Sequence, residues 1–185
     1  MRRPRGYVGK RHETIGSDIL AVLGVVSMPK QTLGPALNDK LQKLSPNGWY
    51  GIDLMLELME ALDARIGVNG LRQMGRKLFA ASHEAHVRGV AKSARDILTS
   101  FDDLYKRANR GEAIGGWKVL DFGPGKARLE KTTPHHCALE EGIVSAALGC
   151  VDVPATVTQE SCLRRGADSC IFVVASVITD KRWGG

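Results

Sequence analysis

The feature of this sequence that most restricts its fold is the clustering of its cysteines. All four cysteines of the 185-residue chain lie between positions 137 and 170. Cys162 and Cys170 flank Gly166, so a β-hairpin centred on this glycine would place the two side chains opposite each other. Directly opposed residues have Cβ atoms about 4.5–5.5 Å apart. At that separation two thiols can share a metal ion or form a disulfide.

Two further side chains are expected beside this hairpin. Cys137 comes at the predicted start of a helix, where the helix dipole and the free N–H groups favour a thiolate. Glu160 precedes Cys162 by two residues, and side chains alternate along a strand, so both are expected on one face. Three thiols and a carboxylate are thus predicted to converge, which favours a ligand-binding module stabilised by a metal ion over a catalytic cleft. The alternative is that the cysteines are ordinary small buried side chains.

The composition limits the class of protein and its compartment. The chain is 43% hydrophobic and 25% charged, which is typical of a globular domain with a substantial core. No apolar run reaches the roughly 18 residues that a membrane span needs, and the N-terminus lacks the layout of a signal peptide. The chain is therefore predicted to be cytoplasmic. In a reducing compartment, clustered cysteines indicate free or metal-bound thiols rather than a disulfide framework.

Part of the net charge of +6 is concentrated before the first acidic residue, Glu13. The basic residues of this segment are Arg2, Arg3, Arg5, Lys10 and Arg11. We predict a flexible basic arm over residues 1–15 and a single domain over residues 16–185. Such an arm can contact nucleic acid. Neither a helix-turn-helix nor an aromatic stacking pattern accompanies it, so nucleic acid is not expected as a partner.

The order of the predicted elements indicates an α+β fold. Apolar residues recur at helical spacing up to about residue 108, and alternating segments and turns follow. A hairpin is predicted over 117–131, a helix over 138–149, and strands over 153–160 and 169–178. We therefore predict a helical N-terminal half packed on a four-stranded antiparallel sheet with ββαββ order.

On these residues the chain resembles the 4-vinyl reductase domain family. This family shares a ligand-binding fold with haem nitric-oxide sensors and with Golgi-tethering (TRAPP) subunits. The resemblance covers residues 47–178 and is strongest over residues 137–170, with the helix-start cysteine, the Glu-Ser-Cys segment and the second hairpin cysteine. The segment HVRGVAK, residues 86–92, is similar to a His-containing segment of phenol-sensing bacterial regulators.

The resemblance implies a structural zinc ion. In those regulators, zinc is held by a cysteine at the helix start, a glutamate before the hairpin and two hairpin cysteines. The matching residues here are Cys137, Glu160, Cys162 and Cys170. The chain departs from the pattern, because Glu160 lies two rather than three residues before Cys162. Cys150, an additional cysteine at the end of the late helix, is the alternative fourth ligand.

The resemblance also implies an aromatic-ligand pocket. A histidine on the long helix and a tryptophan on the first strand hold the ligand in those regulators, and these positions match His86 and Trp117. His83 shares a helix face with His86 and is a further candidate. An exposed polar face for the histidines and a core position for Trp117 are the simpler alternatives. His135 and His136 are predicted to lie on the surface of the turn before the late helix, and the alternative is that they ligate a metal or haem.

These observations predict a sensor or adaptor that binds a small hydrophobic or aromatic molecule in an apolar pocket. We expect a homodimer that signals through a separate output partner, because the chain ends at Gly185 without an ATPase or DNA-binding domain. The alternatives are a protein-interaction scaffold of the Golgi-tethering (TRAPP) type and a haem-binding gas sensor. Enzymatic activity is not expected, since no nucleophile-elbow, zinc-protease or dinucleotide-binding motif is present. Glu140 and Glu141 are adjacent and so do not form an acid–base pair on one helix face.

Overall fold

A computed structural model of the chain describes residues 3, 7 and 11–184. The helices are α1 (Gly16–Gly24), α2 (Pro29–Leu33), α3 (Pro35–Leu41), α4 (Asp53–Ser82), α5 (Glu84–Val90), α6 (Ala94–Ala108) and α7 (Cys137–Gly149). The strands are β1 (His12–Ile15), β2 (Trp49–Gly51), β3 (Asn109–Gly111), β4 (Trp117–Gly123), β5 (Lys126–Lys131), β6 (Thr156–Ser161) and β7 (Cys170–Ala175). The predicted α+β class, with a helical N-terminal half, is confirmed.

The larger sheet is antiparallel, with its four strands in the order β4–β5–β7–β6. Along the chain these strands enclose α7, so the predicted ββαββ order is confirmed. Alternation along β7 places Cys170, Phe172 and Val174 in the core. The same alternation along β5 buries Leu129 and also Lys131, whose side chain is an unusual one for a core position.

A second sheet, with strands in the order β2–β1–β3, joins the N-terminal segment to the end of α6. Its central strand covers residues 12–15, which the sequence predicts to be part of a flexible arm. This segment is ordered because its inward side chains have buried partners: His12 Nε2 lies 3.0 Å from Asn109 Oδ1, and the Thr14 hydroxyl donates to the Ala108 carbonyl at 3.2 Å. The folded domain thus begins before residue 16, and most of the basic arm lies outside the described residues.

The His12 imidazole is fully enclosed, with 1% of its surface exposed. Its Nε2 faces the amide oxygen of Asn109, which can only accept, so Nε2 carries the proton and Nδ1 accepts from the Tyr7 hydroxyl at 2.8 Å. The orientation of the Asn109 amide is fixed by its own donation to the Tyr105 carbonyl. Burial lowers the pKa of His12 to about 4, and the Asn109 hydrogen bond offsets only part of this effect.

This histidine predicts how stability depends on pH. The unfolded chain takes up the proton near pH 6.5 but the folded chain only near pH 4, so the free energy of unfolding falls as the pH drops through that interval. We expect the decrease in the free energy of unfolding between pH 7 and pH 4 to be about 2 kcal/mol smaller in His12→Gln than in the wild-type protein, allowing for partial solvent screening. Burial also lowers the pKa of His136 to about 4, so a residual slope remains. Urea unfolding between pH 4 and 7 measures this pH dependence, and the exposed His86→Gln variant is the control. If the free energy of unfolding depends on pH equally in both variants, His12 is not the source of the effect.

Helices α4 and α7 pack with their backbones in contact because glycines lie at the crossing. A Cβ on Gly75 of α4 would overlap the carbonyl oxygen of Leu139, and one on Gly142 of α7 would overlap that of Arg72. α4 itself bends at Gly67, whose φ of 62° favours glycine. The crossing holds the start of α7 against the helical half and thereby positions the turn that precedes it.

Buried side chains form one core between α6, α7 and the larger sheet, and another among α1, α3 and α4. α7 contributes to both cores, with Val144 in the first and Leu139 in the second. Within the part of the chain that the structure describes, no helix has the length and apolar character needed to cross a membrane.

Candidate functional site

A cavity of about 60 Å³ lies where α1, α4 and α6 meet β4 and α7. We call it the central cavity. Its walls are mainly apolar, and four aromatic rings contribute to them: Phe79, Phe101, Tyr105 and Trp117. The rings of Phe101 and Trp117 pack with their centroids 5.4 Å apart. Met55 and Met59 of α4 complete the apolar wall with flexible side chains.

Two carboxylate–imidazole pairs face the central cavity. Asp18 of α1 lies opposite His83, the residue after α4, with Oδ2 and Nε2 3.9 Å apart. Glu140, in the first turn of α7, accepts from Nδ1 of His135 at 3.3 Å. Neither pair is close in sequence to the other, so the helix crossing and the turn before α7 bring them together.

The two carboxylates differ in their ionisation. Burial raises the pKa of Asp18, and the nearby imidazoles of His83 and His135 counter only part of this effect. Burial alone would also raise the pKa of Glu140, but the hydrogen bond from His135 and the charge of Lys131 lower it below its usual range. Glu140 is therefore a fixed anion of the site, whereas Asp18 lacks a partner that compensates its burial.

His135 presents an unused hydrogen-bonding atom. Because the Glu140 carboxylate only accepts, Nδ1 of His135 carries a proton, and the tautomer with one ring proton leaves Nε2 as an acceptor. This Nε2 is buried and has no partner. The prediction that His135 and His136 lie on the surface is wrong: the His135 side chain is 11% exposed, and the His136 side chain is 2% exposed. The His136 ring lies beside Asp63 of α4, and the His135 ring packs against Tyr105 of α6.

Three of the four cysteines come together beside this turn, and we call Cys137, Cys162 and Cys170 the thiol cluster. All three sulfur atoms lie within 4.8 Å of one another. The Sγ atom of Cys137 is 3.0 Å from that of Cys170 and 3.5 Å from that of Cys162. All three side chains are buried. The hairpin and the helix start therefore place the thiols as their spacing predicts.

Lys131 supplies a buried positive charge to the thiol cluster. Its Nζ donates to the His135 carbonyl at 2.6 Å and lies 3.7 Å from the Cys137 sulfur. Burial alone would lower the pKa of Lys131, but the cysteines and Glu140 hold it above its usual value. The hydrogen bond from Cys137 lowers the pKa of Cys170, whereas the same bond and burial raise the pKa of Cys137. The thiol cluster and Lys131 together thus favour a Cys170 thiolate next to the lysine ammonium.

The two candidates for a fourth ligand lie elsewhere. Glu160 is on the exposed side of the sheet, where both its oxygens accept from Arg128 at 2.7 and 3.0 Å. The reason is a β-bulge: the pairing of β6 with β7 shifts between Gln159 and Ser161, which breaks the alternation that sequence spacing assumes. Cys150 follows the end of α7 and is not among the residues of the thiol cluster.

The structure brings two of the three predicted ligand-binding residues to the central cavity. Trp117 and His83 line it, and the Trp117 ring also packs on Phe172 of the sheet. His86 is exposed on α5, where its Nε2 lies 2.8 Å from Arg107. It lines a separate surface groove between α5 and α6.

Asp18 and the His135–Glu140 pair are residues that sequence reasoning missed. Asp18 has the pattern of a residue in the first turn of a helix, and the two histidines have that of a polar turn. Local periodicity carries no signal for Asp18, because its partner His83 lies 65 residues away along the chain. His135 and Glu140 are only five residues apart, but their spacing does not indicate that the pair faces a cavity. A polar turn flanked by Cys-rich segments was the one available hint.

The fold is similar to that of H-NOX proteins. A triple mutant from S. oneidensis in the Fe(II) ligation state has a TM-score of 0.66 and 16% identity, covering 90% of this chain and 98% of that chain. An unliganded Fe(II) point mutant from K. algicida has a TM-score of 0.66 and 14% identity over 90% and 98%. A structure from work on haem distortion in the H-NOX family has a TM-score of 0.65 and 10% identity over 89% and 93%. At these identities the similarity concerns the fold alone, and it agrees with the predicted α+β architecture.

At the level of sequence, no protein-family model and no curated protein matches the chain. The prediction of a structural zinc cofactor is wrong on the comparison of folds: the similar proteins are described in Fe(II), NO and haem terms, not as zinc proteins. Convergence of the thiol cluster is by itself weak support for a metal, because buried cysteines also pack as small apolar side chains. A charge-compensating lysine among them accounts for their burial without an ion.

Proposed function

We propose that this chain is a sensor domain that binds a small molecule in the central cavity. The observation that carries the proposal is a cavity with aromatic and methionine walls that also exposes two carboxylate–imidazole pairs. Small-molecule sites are typically apolar concavities with a few convergent polar groups. The fold likeness to H-NOX proteins supports ligand sensing as the role of this architecture.

The volume of the central cavity limits the size of the ligand. An engineered apolar cavity of about 150 Å³ accommodates benzene, whereas the central cavity measures about 60 Å³. The small hydrophobic or aromatic ligand implied by the family resemblance would therefore have to enlarge the site. Met55 and Met59 are the wall residues best able to move for it. A ligand smaller than a benzene ring fits without such a change.

The haem-binding gas sensor is the second candidate, and the fold likeness favours it over a zinc-stabilised sensor. The imidazoles of His83 and His135 face the cavity, as a haem ligand requires. The remaining lining does not fit haem. Its two propionates need cations or donors, yet the described lining holds the carboxylates of Asp18 and Glu140 and no lysine or arginine. A porphyrin is also several times larger than the benzene ring that already exceeds this volume.

The scaffold alternative fits less well, since a filled interior would favour it and a cavity is present. Kinship with the 4-vinyl reductase domain is part of the proposal, supported by the ββαββ order and the hairpin cysteines. A homodimer and a separate output partner are also part of the proposal, because a ligand-induced change in the central cavity must be passed to another protein surface to produce a signal. Sedimentation velocity with and without ligand tests the dimer.

A cavity-filling substitution tests the proposed function. Ala108 lines the central cavity at the end of α6, and Ala108→Leu would occupy much of its space. A compound present at 100 times its Kd stabilises the native state by about 2.7 kcal/mol, which raises Tm by about 5–10 °C for a chain of this size. We expect compounds that do so for the wild-type protein to shift Ala108→Leu by less than about 1 °C.

The matched control is Ala80→Leu, the same change at an exposed position of α4. It should respond to each compound as the wild-type protein does. Equal shifts in all three proteins would place the ligand outside the central cavity. A Soret band after addition of hemin, lost in Ala108→Leu, would instead favour the haem candidate.

A further inference from the structure

The polar atoms that the central cavity offers a ligand are mainly acceptors. The Asp18 side chain is 17% exposed, and its nearest polar neighbours are His83 Nε2 at 3.9 Å and the Ser17 hydroxyl at 3.5 Å. Both distances are too long for a strong hydrogen bond. Nε2 of His135 is the one buried polar atom in the described lining without a partner, and it too accepts.

The apolar wall has the same preference. The π faces of aromatic rings carry partial negative charge and attract cations, most strongly when water is excluded. The central cavity has four such rings: Phe79, Phe101, Tyr105 and Trp117. No lysine or arginine lines the cavity among the described residues. Lys131 lies behind Glu140 and balances that carboxylate, so Asp18 is the anion left for a ligand.

We propose that the ligand of the central cavity is a small primary ammonium compound. This inference rests on the proposed function and names the chemical class that its site accepts. The ammonium N–H groups donate to the Asp18 carboxylate and to Nε2 of His135, and the carbon chain lies against the aromatic wall. A water-sized group needs up to about 15 Å³, so 60 Å³ holds about four non-hydrogen atoms, fewer than benzene has.

The ionisation of Asp18 agrees with this assignment. Burial raises its pKa, and the titratable groups that face it are His83 at the end of α4 and His135 before α7. An ammonium ion placed beside this carboxyl group would favour its ionised form. At a pH where the free Asp18 carboxyl group is protonated, binding therefore releases this proton, and the heat of binding varies with the ionisation enthalpy of the buffer.

Three probes with the same carbon chain test the proposal on the full chain by isothermal titration: propylammonium, 1-propanol and propionate. A ligand of four non-hydrogen atoms binds no more tightly than about 50 µM, so millimolar concentrations are required. We expect propylammonium to bind at least about 10-fold more tightly than 1-propanol, and propionate not to bind. Phenol is included as a larger neutral aromatic probe.

Asp18→Asn keeps the shape of the side chain and removes its charge. We expect it to weaken propylammonium binding by about 10- to 100-fold and to leave 1-propanol binding unchanged. The matched control is Asp121→Asn, an exposed aspartate on β4 that should alter neither. If Asp18→Asn does not fold, the order of the three probes on the wild-type protein decides the question alone.

Two outcomes would overturn the inference. Binding of phenol or 1-propanol at least as tightly as propylammonium, lost in Ala108→Leu, would leave the proposed function standing and refute the ammonium class. Propylammonium binding that Asp18→Asn does not weaken would show that the ammonium group does not bind to the Asp18 carboxylate.

Discussion

Replacing Lys131 by methionine is expected to lower the free energy of unfolding by about 3–5 kcal/mol. Removing one partner of a buried charge group leaves the other charge uncompensated, with a cost of that size. Lys131 is fully buried and donates to the His135 carbonyl. Without its charge, the Glu140 carboxylate and the thiol cluster lose the ammonium that stabilises their anionic forms. The midpoint of urea unfolding measures the effect.

The control for this substitution is Lys118→Met, an exposed lysine on the neighbouring strand β4. Its effect should stay within about 0.5 kcal/mol. The double variant Lys131→Met/Glu140→Gln should regain at least about 1 kcal/mol relative to Lys131→Met, because the two charges are then removed together. Wild-type stability in Lys131→Met would contradict the role of its charge.

Gly142→Ala is expected to destabilise the protein by about 3 kcal/mol, at the upper end of the cost of overpacking. The new Cβ would overlap the carbonyl oxygen of Arg72, a backbone atom of α4 that cannot move aside on its own. Either the two helices separate or α7 shifts, and both changes disturb the turn that carries His135. Thermal unfolding followed by circular dichroism measures the loss.

Gly149→Ala is the matched control on the same helix. A Cβ there meets no atom within 4 Å, and alanine has the higher helix propensity by about 1 kcal/mol. We expect this variant to be as stable as the wild-type protein or slightly more stable. Similar losses in both variants would show that the α4–α7 contact is not as close as the structure places it.

The fold could be predicted because its determinants are local. Alternation over Lys126–Lys131, the turn at Gly166 and the helical periodicity of the first half are all visible within short windows. The small sheet could not be predicted in this way. The segment 12–15 is ordered by partners such as Asn109, which lies about 100 residues further along the chain.

The residues of the candidate site also differ in whether local sequence patterns predict their positions. The opposition of Cys162 and Cys170 follows from hairpin spacing, and their approach to Cys137 follows from the ββαββ order. The position of Glu160 does not follow, because one bulged residue moves a side chain to the other face of a sheet. Asp18 faces the cavity only because of how α1 packs on α4, which no local pattern specifies.

Methionine-methyl NMR reports whether the ligand occupies the central cavity between the helices and the sheet. Met55 and Met59 line the cavity, whereas Met28 is 65% exposed and does not line it. We expect propylammonium, or any compound that raises Tm, to shift the methyl signals of Met55 and Met59 to saturation and to leave that of Met28 in place. Binding heat without any shift of the Met55 and Met59 signals would contradict binding in the central cavity.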